Sequence, residues 1–174
     1  MSDVPSKYTS LNTLSTAAGT VIKLSEPVGV VGICCPDQAP LLSFVSLLAA
    51  AIARSNSVVI VPSERYPLLG LDLYQVLETS DLPAGVVNIL SGSRDHMARY
   101  LTEHHAVDAM WYFGSAEGSK FVEHASAVNV KRTWVDYGQS RDWAAAEQGE
   151  GQEFLYHATQ AKNVWLTMGD IFAN

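Results

Sequence analysis

Residues 28–62 read VGVVGICCPDQAPLLSFVSLLAAAIARSNSVVIVP, and the order of residue types within this stretch decides the fold. A β-branched run over 28–33 ends at Pro36. Pro40 then stands where the first turn of a helix tolerates it, and an apolar run over 41–53 follows. That run is too short to cross a bilayer, which takes about 20 residues, so it predicts a helix buried on most sides. A second short strand follows at 58–61, closed by Pro62. Strand, helix and strand at this spacing form a parallel crossover unit.

The unit repeats downstream. A helix after Pro67 carries Leu68, Leu71, Leu73, Val76 and Leu77, and the turn Pro83-Ala84-Gly85 leads into a strand over 86–90. Gly92 breaks the chain before a third helix around 97–104. A fourth strand at 109–113 passes through Gly114 and Ser115 into a helix reaching about 127, and a fifth strand spans 130–135. Such alternation implies a parallel sheet covered on both faces. Right-handed crossovers then give an α/β, Rossmann-like doubly wound domain. Trp111, Tyr112 and Phe113 read as a strand packed on both sides, not as a stacking platform.

The flanks break this pattern. Residues 1–25, rich in Ser, Thr and Gly, read as a linker or a peripheral strand, with weak alternation over 19–24. The domain proper spans 26–143. Residues 144–153 read as an acidic, solvated linker, and 154–174 as a C-terminal helix (154–160) and strand (164–168).

A chain of 174 residues with 48% hydrophobic and 17% charged side chains makes one compact domain. Its 11 basic and 18 acidic residues give a net charge of −7, which repels phosphate backbones and anionic lipid. The expected partners therefore include no nucleic acid and no membrane. Neighbouring cysteines rarely meet disulfide geometry, so Cys34 and Cys35 point to a reducing, cytoplasmic setting and to buried packing thiols. The five histidines show no ligand spacing with carboxylates, so no metal site is expected. The segment 112–119 contains no G-x-G-x-x-G.

Five stretches, in order and at natural spacing, resemble the aldehyde dehydrogenases. Glu26-Pro27-Val28-Gly29-Val30-Val31-Gly32 resembles the strand that opens their cofactor domain. Asn56-Ser57-Val58-Val59-Ile60-Val61-Pro62-Ser63-Glu64 resembles Gly-Asn-Thr-Val-Val-Leu-Lys-Pro-Ala-Glu. Leu82-Pro83-Ala84-Gly85-Val86-Val87-Asn88-Ile89-Leu90 is close to the family's third strand with its leading turn. Phe113-Gly114-Ser115-Ala116-Glu117 resembles Phe-Thr-Gly-Ser-Thr-Glu, and residues 131–138 resemble Lys-Arg-Val-Thr-Leu-Glu-Leu-Gly-Gly. The resemblance covers about 20–143. Cys35 to Leu42, Met110 to Ser115 and Val164 to Asp170 are most similar to the carboxy-terminal aldehyde-dehydrogenase-like domain of family 16. The fold so implied is a truncated aldehyde dehydrogenase cofactor-binding domain with a short C-terminal segment. The deletion falls between Trp143 and Phe154.

The resemblance implies NAD(P)-dependent aldehyde oxidation. A thiolate attacks the carbonyl, hydride passes to the nicotinamide, and water releases the acid. The nucleophile belongs to a segment with no counterpart here, because Cys34 and Cys35 align with the end of the first strand. Gln38 falls at the oxyanion-donor position held by Asn, and the extra methylene displaces its amide; one lost donor typically costs about 2.7–4 kcal/mol. Asp136 falls at the general-base Glu, with shorter reach, and Tyr137-Gly138 replaces Gly-Gly. The cofactor positions fall on Pro62, Glu64, Gly92, Gly114 and Ser115. Glu64 would hold the adenosine ribose, and Gly114 and Ser115 form the turn at a helix N-terminus whose N–H groups favour phosphate. Against NAD or NADP stand Val61 in place of Lys, and Arg94 in place of the second Gly of Gly-x-Gly. Arg94 either meets phosphate or blocks the adenine cleft.

Two readings follow. The first is a catalytically incomplete structural or interaction module whose partner is a protein, either a second copy or another aldehyde dehydrogenase domain. The second is the cofactor-binding part of an active enzyme in a longer chain or oligomer. A generic nucleotide-binding module would explain the strand order but not the series of motifs.

Overall fold

The computed structural model describes residues 11–16 and 19–166. Five parallel strands make the main sheet: β3 (Val30–Cys34), β4 (Ser57–Val61), β5 (Val87–Ile89), β6 (Ala109–Tyr112) and β7 (Arg132–Val135). Their order is β5-β4-β3-β6-β7, so the chain winds outward from β3 in one direction, returns, and winds outward in the other. This is the doubly wound α/β arrangement expected from the alternation. The crossovers are α1 (Pro40–Ala53), α2 (Pro67–Glu78), α3 (Arg94–Glu103) and α4 (Ala116–Ser126).

Side chains alternate across the sheet, and each face has its own core. Ile33, Cys35, Val58, Ile60, Trp111 and Phe113 pack with Phe44, Leu47 and Ala51 of α1. Cys34, Val61, Met110 and Tyr112 pack with Ala98 of α3 and Val122 of α4. The first turn of α1 is less covered than its composition predicts. Leu41, Leu42 and Val45 are 44%, 48% and 44% exposed, because among the described residues nothing packs on that side of the helix.

A second, antiparallel sheet has the order β1-β2-β8, formed by β1 (Leu11–Thr16), β2 (Gly19–Pro27) and β8 (Thr159–Leu166). The segment read as a linker or peripheral strand is thus a hairpin over its described part. β3 starts two residues later than the β-branched run, because the chain turns at Val28-Gly29. There the Val28 and Gly29 N–H groups donate to Asn56 Oδ1 at 2.7 and 3.0 Å, and Gly29 has φ 125°. β7 likewise starts at Arg132, since Val130 takes a left-handed φ of 58° that no strand accommodates.

Residues 144–153 differ from a solvated linker. They hold a one-turn helix α5 (Ala146–Gly149), whose Gly149 lies against the Trp143 carbonyl with no room for a side chain. Helix α6 (Gln152–His157) then starts before the predicted 154 and leads straight into β8. The buried Trp143 and Phe154 draw this segment onto the core. Residues 167 and 168 of the expected last strand lie outside the described residues.

Candidate functional site

In an open doubly wound sheet, ligands bind beyond the carboxyl ends of the strands where the order reverses. That point lies between β3 and β6. A cleft of about 270 Å³ opens there, lined by Asp37, Gln38, Arg94, Gly114, Asp136 and Gly138 among others. Of the residues singled out from the sequence, the fold brings Gln38, Gly114 and Asp136 together here. Glu64 reaches the cleft only through Arg94, Pro62 is buried beside Gly70 of α2, and Gly92 is exposed beside Met97.

The turn into α4 is rich in amide donors, and the chain uses three of them itself. The Gly114 N–H donates to Asp136 Oδ1 at 3.2 Å, and the Ser115 N–H to the Tyr112 hydroxyl at 3.3 Å. Ser115 is the N-cap, and its Oγ accepts from the Gly118 N–H at 3.0 Å. The Tyr112 hydroxyl in turn donates to Asp95 Oδ1 at 2.6 Å. It sits so close to Gly114 and Gly118 that a methyl group on either would overlap it. Burial, then the bond to Asp95, push the Tyr112 hydroxyl above its ordinary pKa, so it stays a neutral donor.

Arg94 lies beside this turn. Its guanidinium donates to the Cys35 carbonyl at 3.3 Å and stands 3.5 Å from Asp37 Oδ2, while its Nε is buried without a partner among the described residues. That Nε is 3.0 Å from where a Cβ on Gly114 would stand. Glu64 Oε2 accepts the Arg94 N–H at 3.1 Å, which fixes the start of α3. Asp37 also accepts from the Ser63 hydroxyl at 2.6 Å. Burial alone would raise the Asp37 carboxyl, but the Ser63 hydroxyl, the Arg65 N–H and the Arg94 charge outweigh it and hold the group below the usual range.

The altered catalytic positions are bound up in the same way. Asp136 accepts from its own turn at Gly138 N–H, 3.0 Å, as well as from Gly114. Burial raises its carboxyl above the ordinary value, against those two bonds and the Arg94 charge. Gln38 Nε2 donates to Ser140 Oγ at 3.0 Å and its Oε1 accepts the Arg141 N–H at 3.3 Å, tying the loop after β3 to the loop after β7. Cys34 and Cys35 are fully buried and belong to the cores on opposite sides of the sheet. Burial pushes the Cys34 thiol up to about 12 and Cys35 well above its ordinary value, so neither forms a thiolate at neutral pH. Among the described residues no group of three His, Cys, Asp or Glu is placed to hold a metal ion.

Sequence reasoning missed one assembly. Arg141 lies 5.4–6.0 Å from the ring centres of Phe113, Trp134, Trp143 and Phe154. It forms two bonds to Glu153, at 2.9 and 3.1 Å, and donates to the Gln148 carbonyl at 2.8 Å. His157 stacks on Trp134 at 4.3 Å with the rings 5° apart. This assembly closes the short connection from β7 to α6. The only signal in the sequence was the run of widely spaced aromatics at 134, 143 and 154 around a lone arginine.

A profile of the aldehyde dehydrogenase family matches residues 4–162. The chain is 37% identical over 113 residues to DhaS of Bacillus subtilis (strain 168), covering 65% of this chain and 23% of that protein. It is 35% identical over 114 residues to the NADP/NAD-dependent aldehyde dehydrogenase PuuC of Escherichia coli (strain K12), again 65% and 23%. The crystal structure of betaine aldehyde dehydrogenase from Staphylococcus aureus in complex with NAD+ superposes with a TM-score of 0.68 at 26% identity, covering 74% of this chain and 26% of that one. The chain thus spans about a quarter of the length of these relatives. With the sheet order, the motifs and the match over 4–162 in agreement, the chain belongs to the aldehyde dehydrogenase family.

Proposed function

We propose that this chain is a catalytically incomplete aldehyde-dehydrogenase-like module, most like the carboxy-terminal domain of family 16, that works by folding and associating with protein in the cytoplasm. One observation carries the reading: the Gly114, Ser115 and Gly118 N–H groups of the β6–α4 turn are taken by Asp136, Tyr112 and Ser115 of the chain itself. A dinucleotide needs those N–H groups for its pyrophosphate and Glu64 for its ribose. Here Glu64 accepts from Arg94, and the Arg94 side chain lines the cleft beside Gly114. The residues present do not fit NAD or NADP.

The catalytic positions support the same reading. Neither cysteine is a thiolate, Gln38 is a bridge between loops, and Asp136 is engaged by two N–H groups. Association with a second copy or another aldehyde dehydrogenase domain is favoured by β8, an edge strand among the described residues on which Trp165 is 72% exposed.

The competing reading is the cofactor-binding part of an active enzyme in a longer chain or oligomer. The names of PuuC and of the NAD+-bound Staphylococcus aureus structure favour it. A turnover assay decides. Purified chain given a short aliphatic or aromatic aldehyde with NAD or NADP is expected to produce no reduced nicotinamide above the Cys34→Ser/Cys35→Ser variant. Turnover that the double variant loses would overturn the proposal.

A further inference from the structure

A second cavity, of about 430 Å³, lies where the three-stranded sheet meets α1, α6 and β7. Lys23 and Ser25 of β2, Arg54 at the C-terminus of α1, Arg132 of β7, and Gln152 and Tyr156 of α6 contribute to its wall. Three cations line it, and no Asp or Glu does. In a chain with 18 acidic and 11 basic residues, that local inversion of charge is notable.

The strand alternation explains how it arises. Lys23 and Ser25 share one face of β2, while Glu26 on the other face accepts from Lys162 Nζ at 2.9 Å and is already paired. Arg132 is held in the wall by the carbonyls of Thr159 and Tyr156 and lies 5.7 Å from the Tyr156 ring centre. Its charge is therefore fixed in place by neutral groups. Among the described residues, Lys23, Arg54 and Arg132 form no ion pair with a carboxylate. Like charges converging on one cavity repel each other, and a bound anion removes that cost.

We propose that this cavity binds a small phosphate-bearing ligand, with Lys23 and Arg54 as adjustable contacts and Arg132 as the fixed wall. Three converging cations match a phosphate of two or more negative charges better than a monocarboxylate. The volume is within the range of small-molecule sites. The site is separate from the cleft between β3 and β6 and stands whether or not that cleft takes a dinucleotide.

The test is thermal unfolding of the whole chain titrated with pyrophosphate and inorganic phosphate, against citrate and sodium chloride at matched ionic strength. The expected result is a saturable rise in Tm with pyrophosphate and phosphate beyond the salt control. Lys23→Gln/Arg54→Gln should weaken binding roughly tenfold or more, and Arg94→Gln should leave it unchanged. Without ligand the double variant should unfold no lower than the parent, because repulsion is relieved. Lys23→Gln alone, on an exposed strand position, should weaken binding several-fold and serves if the double variant folds poorly. The proposal is overturned by the absence of a saturable rise, by saturation with citrate alone, or by a rise that survives in the Lys23 and Arg54 variants. Loss of the rise in Arg94→Gln would place the anion in the other cleft and overturn it equally.

Discussion

Replacing Arg141 by Ala removes the group that closes the chain between β7 and α6, and the cost can be worked from its contacts. The guanidinium is 18% exposed and forms a forked pair with Glu153, whose side chain is 44% exposed. A charge-assisted bond of this kind contributes about 1.5–3 kcal/mol when buried. Solvent screening at the Glu153 end brings the forked pair toward the lower value, ~1.5 kcal/mol. The four surrounding rings share one cation, so their contributions do not add, and one desolvated cation–π contact is about 1–2 kcal/mol. The expected loss is therefore about 3 kcal/mol, a large share of the roughly 5–15 kcal/mol that holds a domain together. At this chain length it lowers Tm by roughly 6–12 °C. Arg141→Lys keeps the charge and loses the fork, so it should fall between the parent and the Ala variant. Differential scanning calorimetry on Arg141→Ala, Glu153→Gln and the double variant reads the coupling, expected at about 1 kcal/mol or more. A drop below ~2 °C for Arg141→Ala, or strictly additive losses, would refute the view that this assembly holds the C-terminal segment to the sheet.

Two other results follow from burial. In native protein neither Cys34 nor Cys35 should react with a thiol reagent at pH 7–8 on the time scale of a free thiol, and both should react once the chain is unfolded in denaturant; fast labelling of the native chain would show an exposed thiolate. Burial, aided by the charges of Arg132 and Arg141 and opposed by Glu153, lowers His157 from 6.5 to about 4. The unfolded chain therefore binds this proton at higher pH than the folded one. Stability is flat from this source above about pH 6.5 and is lost as pH falls from there toward 4. His157→Gln should remove that part of the slope in urea titrations at pH 7 and pH 5; an unchanged slope would refute the assignment.

The architecture was legible because it is written in periodicity. Short β-branched or apolar runs recur five times and each expected strand falls within two residues of the observed boundaries, prolines open α1 and α2, and only the third helix starts three residues early, at Arg94. The misplacements have local causes. The β-branched run carries the expected strand back to Val28, because nothing in sequence says that Asn56 will take its N–H. Val130 falls within the expected fifth strand because a β-branched residue rarely adopts the left-handed φ it takes here. Polar composition over 144–153 suggests a linker, whereas the buried Trp143 and Phe154 on either side anchor the segment to the core.

The site was legible only as a set of positions. Alignment with family motifs locates Gln38, Glu64, Gly114 and Asp136, but the partners Ser140, Arg94 and Asp136 that engage the first three lie 22 or more residues away in sequence. Arg94 carried two opposed readings, and the geometry sets it against Asp37 and the Cys35 carbonyl. Tyr112 gave no signal, because an aromatic in a buried strand is ordinary; its hydroxyl matters only because α3 brings Asp95 and the turn brings the Ser115 N–H to it.

The central claim is that the Gly114, Ser115 and Gly118 N–H groups at the family's cofactor turn are already taken by this chain's own side chains, with Arg94 lining the cleft beside them. Isothermal titration of the whole chain with NAD and with NADP tests it most directly. A ligand at ~100 times its dissociation constant would also raise stability by about 2.7 kcal/mol, so thermal unfolding at millimolar cofactor gives an independent reading. The account predicts no saturable heat and no Tm shift beyond the salt control for either cofactor. Saturable binding of NAD or NADP, abolished by Glu64→Gln, would contradict it.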